Sequence, residues 1–529
     1  MSAPAPLSGR FRRLFWSLGG ASLVMAMVGC AAPGSGTGGT SGEPHKGGTL
    51  VFARSQEPAS LNPVQAADNG SIFDDPQIFD TLVEWASNGT DPTPGLATSW
   101  NVSSDGLSYT FHLRQAKFSN GDAVTADDVK FSLDRAADQK LDDNFGFAFV
   151  NVKSVSVVDS STVRVDMNVT DAAFIGSLTL TAASITPKKI VQSLGEDGFA
   201  THPIGSGPFM LKSWTRGEKL ELVRNPNYWR SGQPYLDGLT FLMIADDNTR
   251  MLKVESGEAQ IGEAVPVSQV DRLNQVKGLK VLNERSVSIW TIILNQKVPQ
   301  LADVKVRQAL NYATPKDTIN KVTAGGLGMI ANSMMPPLRF WDKSVPPYPY
   351  DLNKAKQLMG QSSAPNGFTL DFVIQAGDTM ESQLATIIQT EWAKIGVKTN
   401  IQVVDRATRI KRTIDQNYGA LSRPATALSS DVLDDSELAT ILLDGSGSWK
   451  SMYTSYNSSE AIRLIHEAAT TVDDSKRRQL YSQLQKIAMA DAPMVPLLFI
   501  PTLTVINTKV HGFSTLPVGW WNMQDVWLG

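Results

Sequence analysis

Residues 368–403 alternate in two registers, one on each side of a helical segment. Phe368, Leu370, Phe372 and Ile374 recur every second residue; Leu384, Ile387, Ile388, Trp392 and Ile395 fall at helical spacing; Val397, Thr399, Ile401 and Val403 alternate again. A period of two, then 3.6, then two is strand, helix, strand. A connection of that length makes the two strands parallel, joined by a right-handed crossover. Gly396 stands where the helix needs a C-terminal cap. Nearby, Asp303 opens a helix with Val306, Ala309, Leu310 and Ala313 on one face, and Ser475 opens another with Leu480, Leu484, Ile487 and Ala488 facing inward. The C-terminal half therefore reads as an α/β lobe.

The preceding part has another texture. Thr98–Val102 and Leu107–Leu113 flank Ser104-Asp105-Gly106, with Tyr109, Phe111 and Leu113 alternating against polar residues, which is a hairpin with one buried face. Val152–Val158 and Val163–Met167 form a second hairpin about Asp159-Ser160-Ser161. Between them Thr125-Ala126-Asp127-Asp128 has the form of a capping box for a helix running to Ala137. A chain of 529 residues exceeds one ordinary core and divides into two or three domains. Two lobes of different texture imply a cleft between them.

The N-terminus reads as an export signal. Arg10, Arg12 and Arg13 precede a mostly apolar run from Leu14 to Val28, and no acidic residue occurs before Cys30. The run is short and ends in small Gly29, which fits a signal peptide rather than a membrane span. Cys30 is the chain's sole cysteine, so an intrachain disulfide and a cysteine zinc site are excluded. Its setting resembles a bacterial lipobox, where the cysteine carries the lipid on its thiol and becomes the new N-terminal residue. Arg12-Arg13-Leu14-Phe15 also partly resembles a twin-arginine signal, so the export route stays open. The Gly/Ser/Thr-rich stretch that follows is a flexible tether.

Catalytic signatures are missing. The chain has no GxxxxGK[ST], HExxH or GxSxG pattern, and its five histidines (His45, His112, His202, His466, His511) show no metal-ligand spacing. The doublets Asp127/Asp128, Asp246/Asp247, Asp434/Asp435 and Asp473/Asp474 read as charges at helix N-termini. A net charge of −4 without a basic block argues against nucleic acid. The expectation is a binding protein rather than an enzyme, with no cofactor and no metal.

From residue 46 onward the chain resembles the large solute-binding proteins of bacterial ABC importers, the oligopeptide- and dipeptide-binding class known as family 5. The resemblance rests on Glu57-Pro58-Ala59-Ser60-Leu61-Asn62-Pro63, Phe79-Asp80-Thr81-Leu82-Val83, Pro94–Trp100, Leu107–Arg114, Phe118–Val129, Gly205-Ser206-Gly207-Pro208-Phe209, Asn225-Pro226-Asn227-Tyr228-Trp229 and Val306–Leu310, in that order. It implies an α/β, two-lobed periplasmic-binding-protein-like fold with a hinge and an extra inserted subdomain. The implied division is a signal peptide at 1–29, the lipidated Cys30 and tether at 30–45, lobe I at 46–80, 201–280 and 500–529, the inserted subdomain at 81–200, and lobe II at 281–499. Gly205 and Gly207 would allow a backbone course closed to bulkier residues. Trp100 and Phe209 read as core.

The same resemblance implies an exported, lipid-anchored monomer on the outer face of the cytoplasmic membrane. It would capture a peptide or peptide-like solute by hinge closure and deliver it to a permease whose ATPase is a separate chain. The alternative is a non-peptide solute, a metal chelate, opine or oligosaccharide, on the same scaffold. Family members meet a peptide ammonium with a carboxylate in a loop containing Trp and Pro. The matching stretch, Ala427–Ser436, offers Asp431 and Asp434 but lacks that Trp and those prolines. On the lobe I side the resemblance points to Glu57, Ser60, Leu61 and Asn62, through their backbone before their side chains, and in lobe II to Asn295.

Overall fold

Thr49–Arg54 is central to a seven-stranded sheet, because Leu50, Phe52 and Arg54 alternate into its buried face. In this computed structural model the described residues are 43–66, 68–86, 89–141, 145–425, 434–444 and 454–529. Met1–Glu43 separates from Pro44–Gly529 as a distinct unit, and all elements below belong to the second. From one edge the seven strands are Leu279–Glu284, Thr502–Asn507, Ile261–Gly262, Thr49–Arg54, Gly238–Met243, Lys219–Arg224 and Phe209–Thr215. Thr49–Arg54 runs parallel to both of its neighbours. Its core holds Leu50, Phe52, Phe209, Phe241 and Trp521.

A six-stranded sheet has the order Met329–Ile330, Met494–Phe499, Ile289–Leu294, Ala420–Ala425, Phe368–Gln375 and Val397–Val404. The parallel pair expected from the sequence is present, with Phe368 opposite Val397 and Gln375 opposite Val404. The helix Thr379–Ala393 joins them and buries Leu384, Ile388 and Trp392. The expected helix at Ser475 is Asp474–Asp491, one residue longer, because Asp473 caps it by accepting from Lys476 N at 2.7 Å.

A four-stranded sheet holds both expected hairpins: Ala97–Val102, Ser108–Leu113, Thr162–Met167 and Val152–Asp159. The helix Ala126–Ala136 packs on it, capped reciprocally by Thr125 and Asp128. Phe209 is fully buried, whereas Trp100 only flanks the core of this sheet. A Cβ on Gly205 would fall 2.0 Å from Ile78 O, and one on Gly207 2.5 Å from Ile78 C, so close backbone approach requires glycine at both.

The chain passes between the seven- and six-stranded sheets at 285–288, after Leu279–Glu284 and before Ile289–Leu294. It passes back at 500–501, after Met494–Phe499. The crossings are tied together: Ile500 N donates to Ser288 O at 2.9 Å and Ser286 Oγ to Ile500 O. Among the described residues no helix is long and apolar enough to span a membrane.

Candidate functional site

The strands Thr49–Arg54 and Ile261–Gly262 run parallel and end side by side. Their carboxyl ends open onto a groove of about 360 Å³, whose other walls include the two crossings, at Ser286, Val287, Ser288, Ile500 and Pro501. A crevice beyond the carboxyl ends of parallel strands is where open α/β sheets bind ligands. The segment Pro517–Trp521 closes one side, held by Val287 N donating to Pro517 O at 2.9 Å.

Arg54 forms the floor. It is 1% exposed and lies with its guanidinium 4.8 Å from the Trp521 ring centroid. It pairs with Asp74, donates to Gly70 O at 3.3 Å, and reaches Glu263 at 3.4 Å. Ser55 donates through both N and Oγ to Glu263 Oε1 at 2.7 Å. Burial pushes the Asp74 carboxyl up to about 7 against the pull of Arg54. A guanidinium satisfied on several sides makes a rigid floor.

Phe73 and Val518 also line a narrow apolar neck with Phe145, Leu180 and Trp520. Thr181 and Trp520 are shared in turn with an end pocket of about 50 Å³, lined among others by Phe79, Asp80, Glu84, Trp85 and Tyr228. Glu84 pairs with Arg230, and Asp80 accepts from Trp229 Nε1 at 3.1 Å. The Arg114 and Arg230 guanidiniums lie 3.7 and 4.4 Å from the Trp229 ring centroid. Burial lifts Asp80 to about 6 and Glu84 to about 7, with Arg230 opposing both.

The residues singled out from the sequence do not gather at one place. Cys30 and Asp431 lie outside the described residues. Half-buried Glu57 accepts from Trp214 Nε1 at 3.1 Å and Gly217 N at 3.0 Å, so its carboxylate anchors its own loop to a neighbouring hairpin. Ser60 Oγ donates to Gln65 Oε1 and accepts from Asn62 N, both at 3.1 Å. Leu61 is core, its N–H donating to Ala200 O at 3.3 Å. Asn62 is fully buried, giving Nδ2 to Glu196 Oε2 at 2.7 Å and taking Arg135 Nη2 on Oδ1 at 3.0 Å. Asn295 donates Nδ2 to Gln416 O at 2.9 Å and Tyr418 O at 2.8 Å, pinning a loop. Asp434 caps the helix Asp435–Leu443 through Ser436 N at 2.9 Å and accepts both Arg477 Nη groups.

The groove residues Arg54 and Trp521 and the neck residue Trp520 were not singled out. One signal was available: Leu50, Phe52 and Arg54 share a strand face, and a cation ending an apolar face marks a buried charge needing partners. Among the described residues no cluster of three His, Cys, Asp or Glu could hold a metal.

Comparison with known proteins gives consistent likenesses. A family model described as bacterial extracellular solute-binding proteins, family 5, matches residues 91–450. The heme-binding protein A of Haemophilus influenzae is 31% identical over 95% of this chain and 97% of its own length. The dipeptide-binding protein of Escherichia coli K12 is 28% identical over 90% of this chain and 94% of its own. The solved structure of HbpA2 from Haemophilus parasuis superposes with a TM-score of 0.84 at 28% identity, covering 91% of this chain and all of that one.

Proposed function

Because the chain belongs to family 5 of the bacterial extracellular solute-binding proteins, we propose that it captures a peptide or peptide-like solute in the groove between its crossings and delivers it to an ABC importer. The observation that carries this reading is the position of the groove: residues of both crossings line it, which sets it beside 285–288 and 500–501, the two segments that would act as the hinge. Hinges of this kind are a few terminal residues of elements that absorb the backbone change. Solute drives closure by contacting the closed form more fully than the open one. The relatives are binding proteins of transport systems, and no bond in the solute needs to break.

On this reading the lobes are 46–80 with 201–280 and 500–529, and 281–499, with 81–200 as the inserted subdomain. Asp431 meets the amine of a peptide. The permease and its ATPase are separate chains. The protein is exported, tethered through lipid on Cys30, and works as a monomer at the outer face of the cytoplasmic membrane. Two or three acyl chains anchor stably where one does not.

A second reading, a non-peptide solute, draws support from two observations. The stretch Ala427–Ser436 lacks the Trp and Pro of peptide-binding loops, and Phe73, Phe145, Trp520 and Trp521 give the groove and neck large apolar faces. Mass spectrometry of solute released on denaturing the purified protein separates the two. Mixed short peptides are expected; a single porphyrin, chelate or sugar overturns the peptide reading. Intact mass of the mature chain tests the anchor, with a diacylated Cys30 at its N-terminus as the expected result.

A further inference from the structure

Three buried polar groups in the wall of the end pocket have no hydrogen-bond partner: Trp85 Nε1, Thr181 Oγ1 and Trp520 Nε1. Trp85 is 6% exposed and Thr181 3%. Each orphaned buried donor costs roughly 1–3 kcal/mol, and most such groups in native proteins find a partner. Three around one cavity of about 50 Å³ give it unmet hydrogen-bonding capacity, open to water or to a polar group of a solute. The cavity shares Thr181 and Trp520 with the neck, and the neck shares Phe73 and Val518 with the groove, so the cavity is separated from a solute in the groove only by those side chains.

The charges next to the cavity are matched. Glu84 is paired with Arg230, and Asp80 holds the Trp229 indole with Arg114 and Arg230 nearby. A charged group entering would therefore meet no free counter-charge, and its desolvation would go uncompensated. A purely apolar group would leave the three donors unpaired. An uncharged group with a strong acceptor oxygen meets both constraints, and a carboxamide adds N–H donors that the lone pairs of Asp80 and Glu84 can take. The flanking rings of Phe79, Trp85 and Tyr228 suit its planar faces.

We propose that the pocket bounded by Trp85, Thr181 and Trp520 is a subsite for a carboxamide of the bound solute, the side chain of Gln or Asn in a peptide. The assignment rests on the peptide reading above. It makes the pocket a specificity determinant, because a site built around hydrogen bonds rejects an analogue that lacks them more strongly than an apolar pocket rejects a change in size.

Calorimetric titration of the purified protein, freed of co-purified solute, tests this with Ala-Gln, Gln-Ala, Ala-Leu, Leu-Ala, Ala-Glu and Glu-Ala. The better of the two Gln dipeptides is expected to bind about tenfold or more tighter than its Leu and Glu counterparts. Trp85→Phe and Thr181→Val, each checked for an unchanged melting profile, are expected to erase most of that preference while leaving the Leu dipeptide within about twofold. Trp520→Phe serves as the third variant should either of the others misfold. Equal binding of the three dipeptides to the wild type, or a preference that survives all the variants, overturns the subsite and leaves the peptide reading standing. If no dipeptide binds, the same comparison is made with tri- and tetrapeptides carrying Gln, Leu or Glu at each position; failure of all of these to bind overturns the peptide reading, and the carboxamide assignment with it.

Discussion

Arg477 grips Asp434 through two parallel hydrogen bonds, Nη1 to Oδ2 at 2.8 Å and Nη2 to Oδ1 at 2.7 Å. The same guanidinium donates to Ala468 O at 3.0 Å and reaches Ala172 O at 3.5 Å. Beside it Ala172 N donates to Ala469 O at 2.9 Å, so the end of the four-stranded-sheet region is held against the helix Ser459–Thr470 and the turn after it. Burial pushes the Asp434 carboxyl up, but the charge and hydrogen bonds of Arg477 outweigh it and leave the group below its ordinary value. With Ser436 N also on Oδ1, both carboxylate oxygens are engaged.

Replacing one partner of this pair strands the other. Asp434→Asn or Arg477→Met is expected to destabilise by about 3–5 kcal/mol, because a buried charge loses its counterion. The double variant Asp434→Asn, Arg477→Met should recover part of that loss. Urea unfolding of the three variants checks the pattern. Solute affinity of the folded Asp434→Asn protein should stay within about twofold; a large loss of affinity at unchanged stability would instead return Asp434 to the binding site.

The local half of this architecture was legible in the chain. The alternation on either side of residues 384–395, the hairpins about Gly106 and Ser160, and the Thr125–Asp128 box are all short-range patterns, and each element stands where its pattern put it. The groove was not legible, because Arg54, Glu263, Ser286, Ile500 and Trp521 meet only through sheet order. Spacing along a chain says nothing about which strand ends become neighbours. In the motif Glu57–Asn62 the Asn62 side chain is locked between Arg135 and Glu196, which leaves the backbone of the loop as what a solute could meet. Repeated polar residues serve fold as readily as function, and only the partners of their hydrogen bonds tell the two apart.

Gly207 donates its N–H to Ile78 O at 2.9 Å, and a Cβ there would lie 2.5 Å from Ile78 C. Backbone atoms cannot yield as a side-chain tip can. Gly207→Ala is therefore expected to cost about 2 kcal/mol or more, and Gly205→Ala at least as much, with Ile78 O only 2.0 Å away. Gly217→Ala is the matched control for lost backbone freedom: its φ is +73° but nothing lies within 4 Å of the added Cβ. Thermal melts of the three should rank Gly217→Ala as the mildest.

Lys316 is 4% exposed, and its Nζ has no hydrogen-bond partner; the nearest compensation is the Tyr348 ring, 5.8 Å from centroid to Nζ. Burial alone lowers its pKa to about 7. A lysine whose folded value lies below its unfolded value weakens the fold most where both states would be charged, at and below pH 7, and the penalty fades as pH rises toward about 10.5. Lys316→Met fills a similar volume without the charge. It should raise stability by about 1–3 kcal/mol at pH 6–7, with the gain shrinking by pH 9. An unchanged or lower melting temperature at pH 6 would contradict this.

Asp435 is fully buried one residue after Asp434; its Oδ2 accepts from Phe340 N at 2.8 Å and its Oδ1 accepts nothing. Burial and then the neighbouring Asp434 charge push it up to about 7, against weaker pulls from Phe340 N, Arg477 and Arg478. Between the unfolded value, about 4, and 7 the folded state holds a proton that the unfolded state has released. Stability therefore falls as pH rises through that window. Glu84, at about 7, and Asp80, at about 6, act in the same direction. Asp434 acts oppositely, but its contribution is lost only as pH falls below the unfolded value, which lies under the window. The melting temperature should therefore peak near pH 5 and decline toward pH 7, above which the fading Lys316 penalty acts the other way. Asp435→Asn keeps an acceptor for Phe340 N and removes the titration, so its profile should be flatter by on the order of 2 kcal/mol between pH 5 and 8. A wild-type profile that rises over that range, or a variant with the same slope as wild type, would show that Asp435 is ionised in the fold and has a partner not identified above.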